Sequence, residues 1–149
     1  MTQYTGFGHC TTELVNVAAQ RAFDFLTDPL LVGTWSLGCM RTQAPAIAGP
    51  YTGFSLFDDS QVWLDIKAHR EMLLIDYLVG AADQLRPRIS IRLVAAETCD
   101  LDATQCYVSL MAWRPSGMQQ DRWSQLCAAH EAEIWLIKAR LEKRVSNHQ

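Results

Sequence analysis

A chain of 149 residues, 49% hydrophobic and 19% charged, is long enough for one domain with a proper core, spanning residues 1–149. Its net charge of −3 argues against a nucleic-acid partner, which would call for a concentrated basic surface. A membrane span is excluded on length, since the longest apolar runs, Met72–Ile75 and Tyr77–Val79, are short and interrupted by Asp76.

In chain order, the first ordered stretch is His9–Val17, where Thr11, Val15 and Val17 are β-branched and predict a strand. A short helix is expected over Ala18–Thr27, with Ala22, Phe23 and Leu26 on one face. Asp28-Pro29 ends it and restarts the chain, Asp as an N-cap and Pro in a first helical turn. Leu30, Leu31 and Val32 then form a brief second helix, stopped by Gly33, with Trp35 just beyond. Leu37–Gln43 reads as a strand, Ala44–Pro50 as a loop, and Tyr51–Phe57 as the next strand, closed by the turn cluster Asp58-Asp59-Ser60.

Gln61–Ala68 and Met72–Val79 read as the arms of a hairpin. A two-residue loop at Arg70-Glu71 sets Val62, Leu64, Ile66 and Ala68 opposite Val79, Tyr77, Ile75 and Leu73, so one face is apolar throughout. Trp63, Asp65, Lys67, Leu74 and Asp76 fall on the other face, with Asp65 opposite Asp76. Arg70-Glu71 is not of the favoured Asn-Gly type, which leaves a longer loop open. Gly80–Arg86 reads as a loop. Pro87 opens a strand in which Ile89, Ile91 and Leu93 alternate with Ser90 and Arg92. After an acidic turn at Glu97–Ala103 comes the longest strand, Thr104–Arg114. It carries Cys106, Val108, Leu110 and Ala112 on one side and Tyr107, Ser109, Met111 and Trp113 on the other.

The last third, Ser116–Arg144, predicts one long helix. Ser116 and Gln119 have capping-box spacing, and no Pro follows. Trp123, Leu126, Cys127, Ile134, Ile137 and Leu141 recur at the three-four spacing of one face. Lys138, Arg140, Lys143 and Arg144 sit where the helix dipole favours cations. At ~1.5 Å per residue the helix is roughly 40 Å long, enough to cross a domain, so a curved sheet is expected to wrap around it. His130 occupies the middle of the apolar stripe.

The order strand, two short helices, six strands, long helix resembles the SRPBCC superfamily (START-like or Bet v 1-like), whose fold is the α+β helix-grip. Ala18–Trp35, AAQRAFDFLTDPLLVGTW, is similar to the opening of polyketide cyclase/dehydrase-type and Hsp90-activator-homology-type members. Gly49-Pro50-Tyr51-Thr52-Gly53-Phe54 resembles their glycine-marked third strand, and Arg114–Leu126 their last strand running into the gripping helix. The resemblance implies a single START-like domain. The superfamily includes lipid carriers, hormone receptors and cyclases, so the likeness leaves function open. Independently of it, a curved sheet cannot press flat along a straight helix, and a cavity between them is a natural small-molecule site.

The expected cavity lining is Trp35, Leu64, Ile66, Ile75, Tyr77, Ile91, Leu110, His130 and Ile134. His130 either hydrogen-bonds a ligand, acts as acid or base, or simply bonds a protein partner at the wall. Tyr77 directs its hydroxyl inward, as a donor to a ligand or oxyanion or bonded to protein. Asp65, Asp76 and Arg92 are expected on a solvated sheet face; an inverted sheet would make Arg92 a carboxylate anchor. His130 and Glu133 are spaced for a metal pair, but two residues do not make a metal site, and no cofactor motif is present. Trp63 and Trp113 lie away from the apolar faces, where a homodimer interface would cover them. The five cysteines (10, 39, 99, 106, 127) form no C-x-x-C pair, and Met1–Gly8 has no signal-peptide pattern, so free thiols in the cytoplasm are expected. The resulting expectation is a protein that binds a small hydrophobic or aromatic, lipid-like or polyketide-like molecule. The alternative is a cofactor-free cyclase, dehydratase or isomerase using His130 and Tyr77.

Overall fold

A computed structural model of the protein describes residues 4–147, the side chains from 144 onward aside. Seven strands form one antiparallel sheet: β1 (Gly8–Val15), β2 (Met40–Gln43), β3 (Tyr51–Phe54), β4 (Gln61–His69), β5 (Leu74–Ala81), β6 (Gln84–Ala95) and β7 (Cys106–Trp113). Their order across the sheet is β1-β7-β6-β5-β4-β3-β2. Helices α1 (Ala19–Leu26) and α2 (Pro29–Val32) follow β1, and α3 (Gln120–Asn147) closes the chain. This is the α+β helix-grip architecture, with α3 lying against β1 and β7.

Local chemistry explains the short helices. Asp28 caps α2 by accepting the Leu30 amide at 3.0 Å, and Pro29 occupies the first turn. Thr42 of β2 then ties α2 down, its hydroxyl donating to Pro29 O at 2.7 Å while accepting from Gly33 N at 3.2 Å. The approach is so close that a Cβ on Gly33 would lie 2.4 Å from Thr42 N. Only glycine fits there.

Several boundaries differ from the sequence expectation. The second strand begins at Met40, and the third ends at Phe54, where Ser55 N bonds Ser60 O at 2.9 Å and starts a loop. The stretch expected to be a loop over Gly80–Arg86 is mostly strand: Ala81 pairs with Gln84, leaving Ala82-Asp83 as the turn. Pro87 lies inside β6, next to a register break at Tyr77/Leu78, a bulge of the kind that tolerates proline. The long helix starts at Gln120 rather than at Ser116. Arg114 holds this approach by donating to Met118 O at 2.9 Å and to Gln120 Oε1 at 3.1 Å.

The hairpin is the instructive case. Leu64 pairs with Val79 and Ile66 with Tyr77, a slip of two residues from the expected register. The longer loop contains a 3-10 turn at Arg70–Met72 and Leu73 in the left-handed region (φ 51). Because side chains alternate with period two, a two-residue slip keeps every side chain on its face. Leu64, Ile75 and Tyr77 are buried as expected. What changes is the partner: Lys67 now faces Asp76, and Asp65 faces Leu78. Opposite charges across strands are the better arrangement, and the carboxylate pair expected at Asp65 and Asp76 does not form.

The core has two parts. The larger joins Val15, Ile75, Ile91, Leu93 and Leu110 of the sheet with Phe23 and Leu26 of α1 and with Ile134, Ile137 and Leu141 of α3. The smaller gathers Ala112, Trp123, Leu126 and Cys127 around the first half of α3. Burying each large side chain is worth ~1.5–3 kcal/mol. Between the two parts the packing is incomplete.

Candidate functional site

A cavity of about 290 Å³ lies between the sheet and the first half of α3. β4 contributes Val62, Trp63 and Leu64, β5 contributes Tyr77, Val79 and Gly80, and β6 contributes Arg88 and Ile89. Val32, Trp35 and Cys39 close one side, Phe57 and Met118 border it, and α3 supplies Arg122, Leu126, Ala129, His130 and Glu133. Trp35, Leu64, Tyr77, His130 and Glu133 are buried, whereas Phe57, Arg88, Met118 and Arg122 keep partial exposure. The cavity therefore has an inner, mostly apolar end and an outer end carrying cations.

Of the nine expected lining residues, Trp35, Leu64, Tyr77 and His130 line this cavity. Ile66, Ile75, Ile91, Leu110 and Ile134 do not. They belong to the larger core or pack against it, where Phe23 and Leu26 of α1 fill the space under the sheet. Trp63, expected on the outward face, is also in the lining, paired across the strands with Gly80. Asp65 and Arg92 are exposed on the outer face, and Trp113 is 47% exposed.

Of the roles left open for Tyr77, the structure shows the bond to protein. Its hydroxyl donates to the Leu26 carbonyl at 2.7 Å. That bond ties β5 to the end of α1 and leaves the proton unavailable to an oxyanion. Burial pushes the phenol well above its usual pKa, with Glu133 adding to the effect. Tyr77→Phe is expected to lower stability by about 1 kcal/mol in denaturant unfolding while leaving ligand affinity unchanged. A large loss of affinity without a stability change would return Tyr77 to the list of ligand contacts.

The polar groups left for a ligand are few. Trp35 stands edge-on to Tyr77, ring centroids 5.8 Å apart, and its buried Nε1 has no hydrogen-bond partner. The Nδ1 of His130, a residue 4% exposed, is likewise unpartnered. Desolvation holds the imidazole down at about 4, assisted by the nearby charges of His9 and Arg122, so it is neutral at physiological pH. Glu133, one turn along the same face, is 3% exposed and accepts the Leu37 amide at 3.2 Å. Burial raises its carboxyl to about 8, the Leu37 hydrogen bond opposing only in part. The pair thus inverts the usual arrangement: a neutral histidine beside a largely protonated glutamic acid. The residues missed from sequence are Glu133 as a buried acid, together with Arg88 and Arg122. Glu133 sits three positions from His130 on one stripe, which was the available signal; nothing local marked the arginines.

Among the described residues, no group of three or more His, Cys, Asp or Glu side chains is placed to hold a metal ion. No helix among them is long and apolar enough to cross a membrane.

No protein-family model matches the chain, and no curated protein matches it in sequence. Solved structures match it in shape. A START superfamily protein from Mycobacterium smegmatis superposes with TM-score 0.66 at 10% identity, covering 93% of this chain and 99% of that one. The Zhui aromatase/cyclase from Streptomyces sp. R1128 gives TM-score 0.62 at 13% identity, with 93% and 94% covered. The Aha1 protein from Colwellia psychrerythraea, determined in solution as a dimer, gives 0.63 at 12%, with 91% and 96% covered. The fold is therefore the START-like, SRPBCC-type helix-grip, as the order of elements implied. At such identities the likeness speaks for the fold alone.

Proposed function

We propose that this chain binds one small hydrophobic or aromatic molecule in the cavity between the sheet and α3. The observation that carries the reading is a largely apolar space whose lining holds three buried polar atoms without partners, Trp35 Nε1, His130 Nδ1 and Arg122 Nη1. Buried polar groups are ordinarily satisfied, and a ligand with an acceptor would satisfy Trp35. At about 290 Å³ the space suits a compact molecule, near the low end for small-molecule sites. Native mass spectrometry of the protein purified from cells, with extraction of what it carries, is the test. A stoichiometric apolar adduct is the expected result. An empty protein that gains no mass against a lipid and aromatic library would overturn the reading and favour an interaction domain.

A second reading, a cofactor-free cyclase, dehydratase or isomerase, is favoured by one observation: two titratable groups on one helix face pushed in opposite directions. His130 as a neutral base and Glu133 as a neutral acid form an acid–base pair in a water-poor site. In this version Glu133 replaces Tyr77 as the donor.

A further inference from the structure

We propose that the molecule held in the cavity is an amphipathic acid, its apolar body inside and one anionic, carboxylate-type group held by Arg88 and Arg122 at the outer end. This rests on the ligand-binding reading above and names the class of ligand.

Both arginines line the cavity, and both are only partly exposed. Among the described residues neither forms an ion pair; the basic side chains placed within reach of a carboxylate are His9, His69, Arg70 and Lys138. The Nη1 of Arg122 is buried without any hydrogen-bond partner, and its guanidinium lies 4.8 Å over the Phe57 ring. A guanidinium taken partly out of water with donors unused is costly unless something accepts from it. The Asp58 carboxylate feels the Arg122 charge but forms no ion pair with it, its Oδ1 accepting instead from the Ser60 hydroxyl at 2.6 Å and amide at 3.0 Å. Arg88 and Arg122 also repel one another, and Arg86 adds to the repulsion at Arg88. Such a cluster of like charge beside an apolar space is stabilised by one shared counter-ion.

The backbone explains how Arg88 gets there. Tyr77 pairs with Ile89 and Leu78 with Pro87, so the register break leaves Arg88 as the extra residue of a bulge. Regular alternation would have put Arg88 on the face opposite Ile89. The bulge puts both in the cavity lining, a known way of re-aiming a side chain toward a site. The other titratable side chains that face the space from α3 do not oppose an anion. Glu133 is largely protonated at neutral pH, and His130 carries no charge to compete for it.

The test compares two fluorescent probes with one apolar body: 8-anilinonaphthalene-1-sulfonate, which carries an anion, and N-phenyl-1-naphthylamine, which does not. The sulfonate is expected to bind about tenfold tighter or more, a difference of ~1.4 kcal/mol. That advantage should vanish in Arg88→Gln/Arg122→Gln, with the neutral probe binding as before. Arg140→Gln, on the exposed side of α3, should change nothing. Sulfonate affinity of the unaltered protein should fall with added salt while that of the neutral probe does not. This arm needs no variant, so a double variant that fails to fold leaves the proposal testable. Equal binding of the two probes, a flat salt response, or a preference retained in the double variant would overturn the anion but keep the cavity. Binding of neither probe would instead remove the ligand-binding reading itself.

Discussion

Glu133→Gln should unfold at a markedly higher temperature than the parent protein at pH 8 and at nearly the same temperature at pH 4.5. In the folded protein Glu133 titrates near 8, against 4.5 for an ordinary glutamate. Between those values the native state keeps a proton that the unfolded chain releases. Stability therefore falls as pH rises through this window, by ~1.4 kcal/mol per pH unit. His130 acts in the opposite sense. Its folded value is about 4 against 6.5, so the unfolded chain takes up the proton first and stability rises with pH between the two. The contributions cancel between 4.5 and 6.5, which leaves a decline from 6.5 to 8 due to Glu133 alone. Replacing the carboxyl by an amide removes the decline, so the gap between variant and parent grows to about 4 kcal/mol by pH 8, or on the order of 10 °C. Urea titrations of both proteins across this range measure it directly. Parallel profiles would mean that water reaches the carboxylate, and the acid–base reading of the site would be lost with it. His130→Gln supplies the complementary check: with the opposing contribution gone, the Glu133 decline should extend from pH 6.5 down to about 4.5.

Filling the cavity should abolish binding without harming the fold. Ala129 is buried on α3 and lines the space, so Ala129→Phe places a ring where no protein atoms now sit. Ligand or probe affinity is expected to drop by about a hundredfold or more, roughly 2.8 kcal/mol. Stability should hold or increase, because each void left in a core forfeits dispersion contacts that the new ring restores. Val79→Phe, from the facing sheet wall, is the independent version. Fluorescence titration beside thermal unfolding separates the two effects. Undiminished affinity in both stable variants would place the ligand elsewhere on the molecule.

Both experiments concern residues whose importance became visible to different degrees along the chain. The stripe from Trp123 to Leu141 was legible because helical periodicity is a local property, and every one of its residues is buried as the spacing predicts. His130 stood out within it for the same reason. Glu133 lies on that stripe too, but a glutamate at a helix position is ordinarily solvated, and its burial depends on neighbours from other elements. Leu37, from the segment after α2, supplies the amide that it accepts, and the charge it would carry adds to burial in raising Cys39 of the same segment and Tyr77 of β5.

The amino-acid sequence by itself determined the order of elements and, Trp63 and the bulged Arg88 aside, the side of the sheet on which the strand residues lie. These follow from periods of 2 and about 3.6, which are carried by neighbours in the chain. They survive even a mistaken register, as the two-residue slip of β4 against β5 demonstrates. The tertiary structure alone decided which inward residues meet a partner and which meet empty space. Ile75, Ile91, Leu110 and Ile134 alternate or recur just as Leu64 and Tyr77 do, yet α1 lays Phe23 and Leu26 into the same core. It decided, through one bulge, that Arg88 joins the cavity lining. It also set the protonation of His130 and Glu133, since desolvation sums over atoms distant in sequence and adjacent only once the chain has folded.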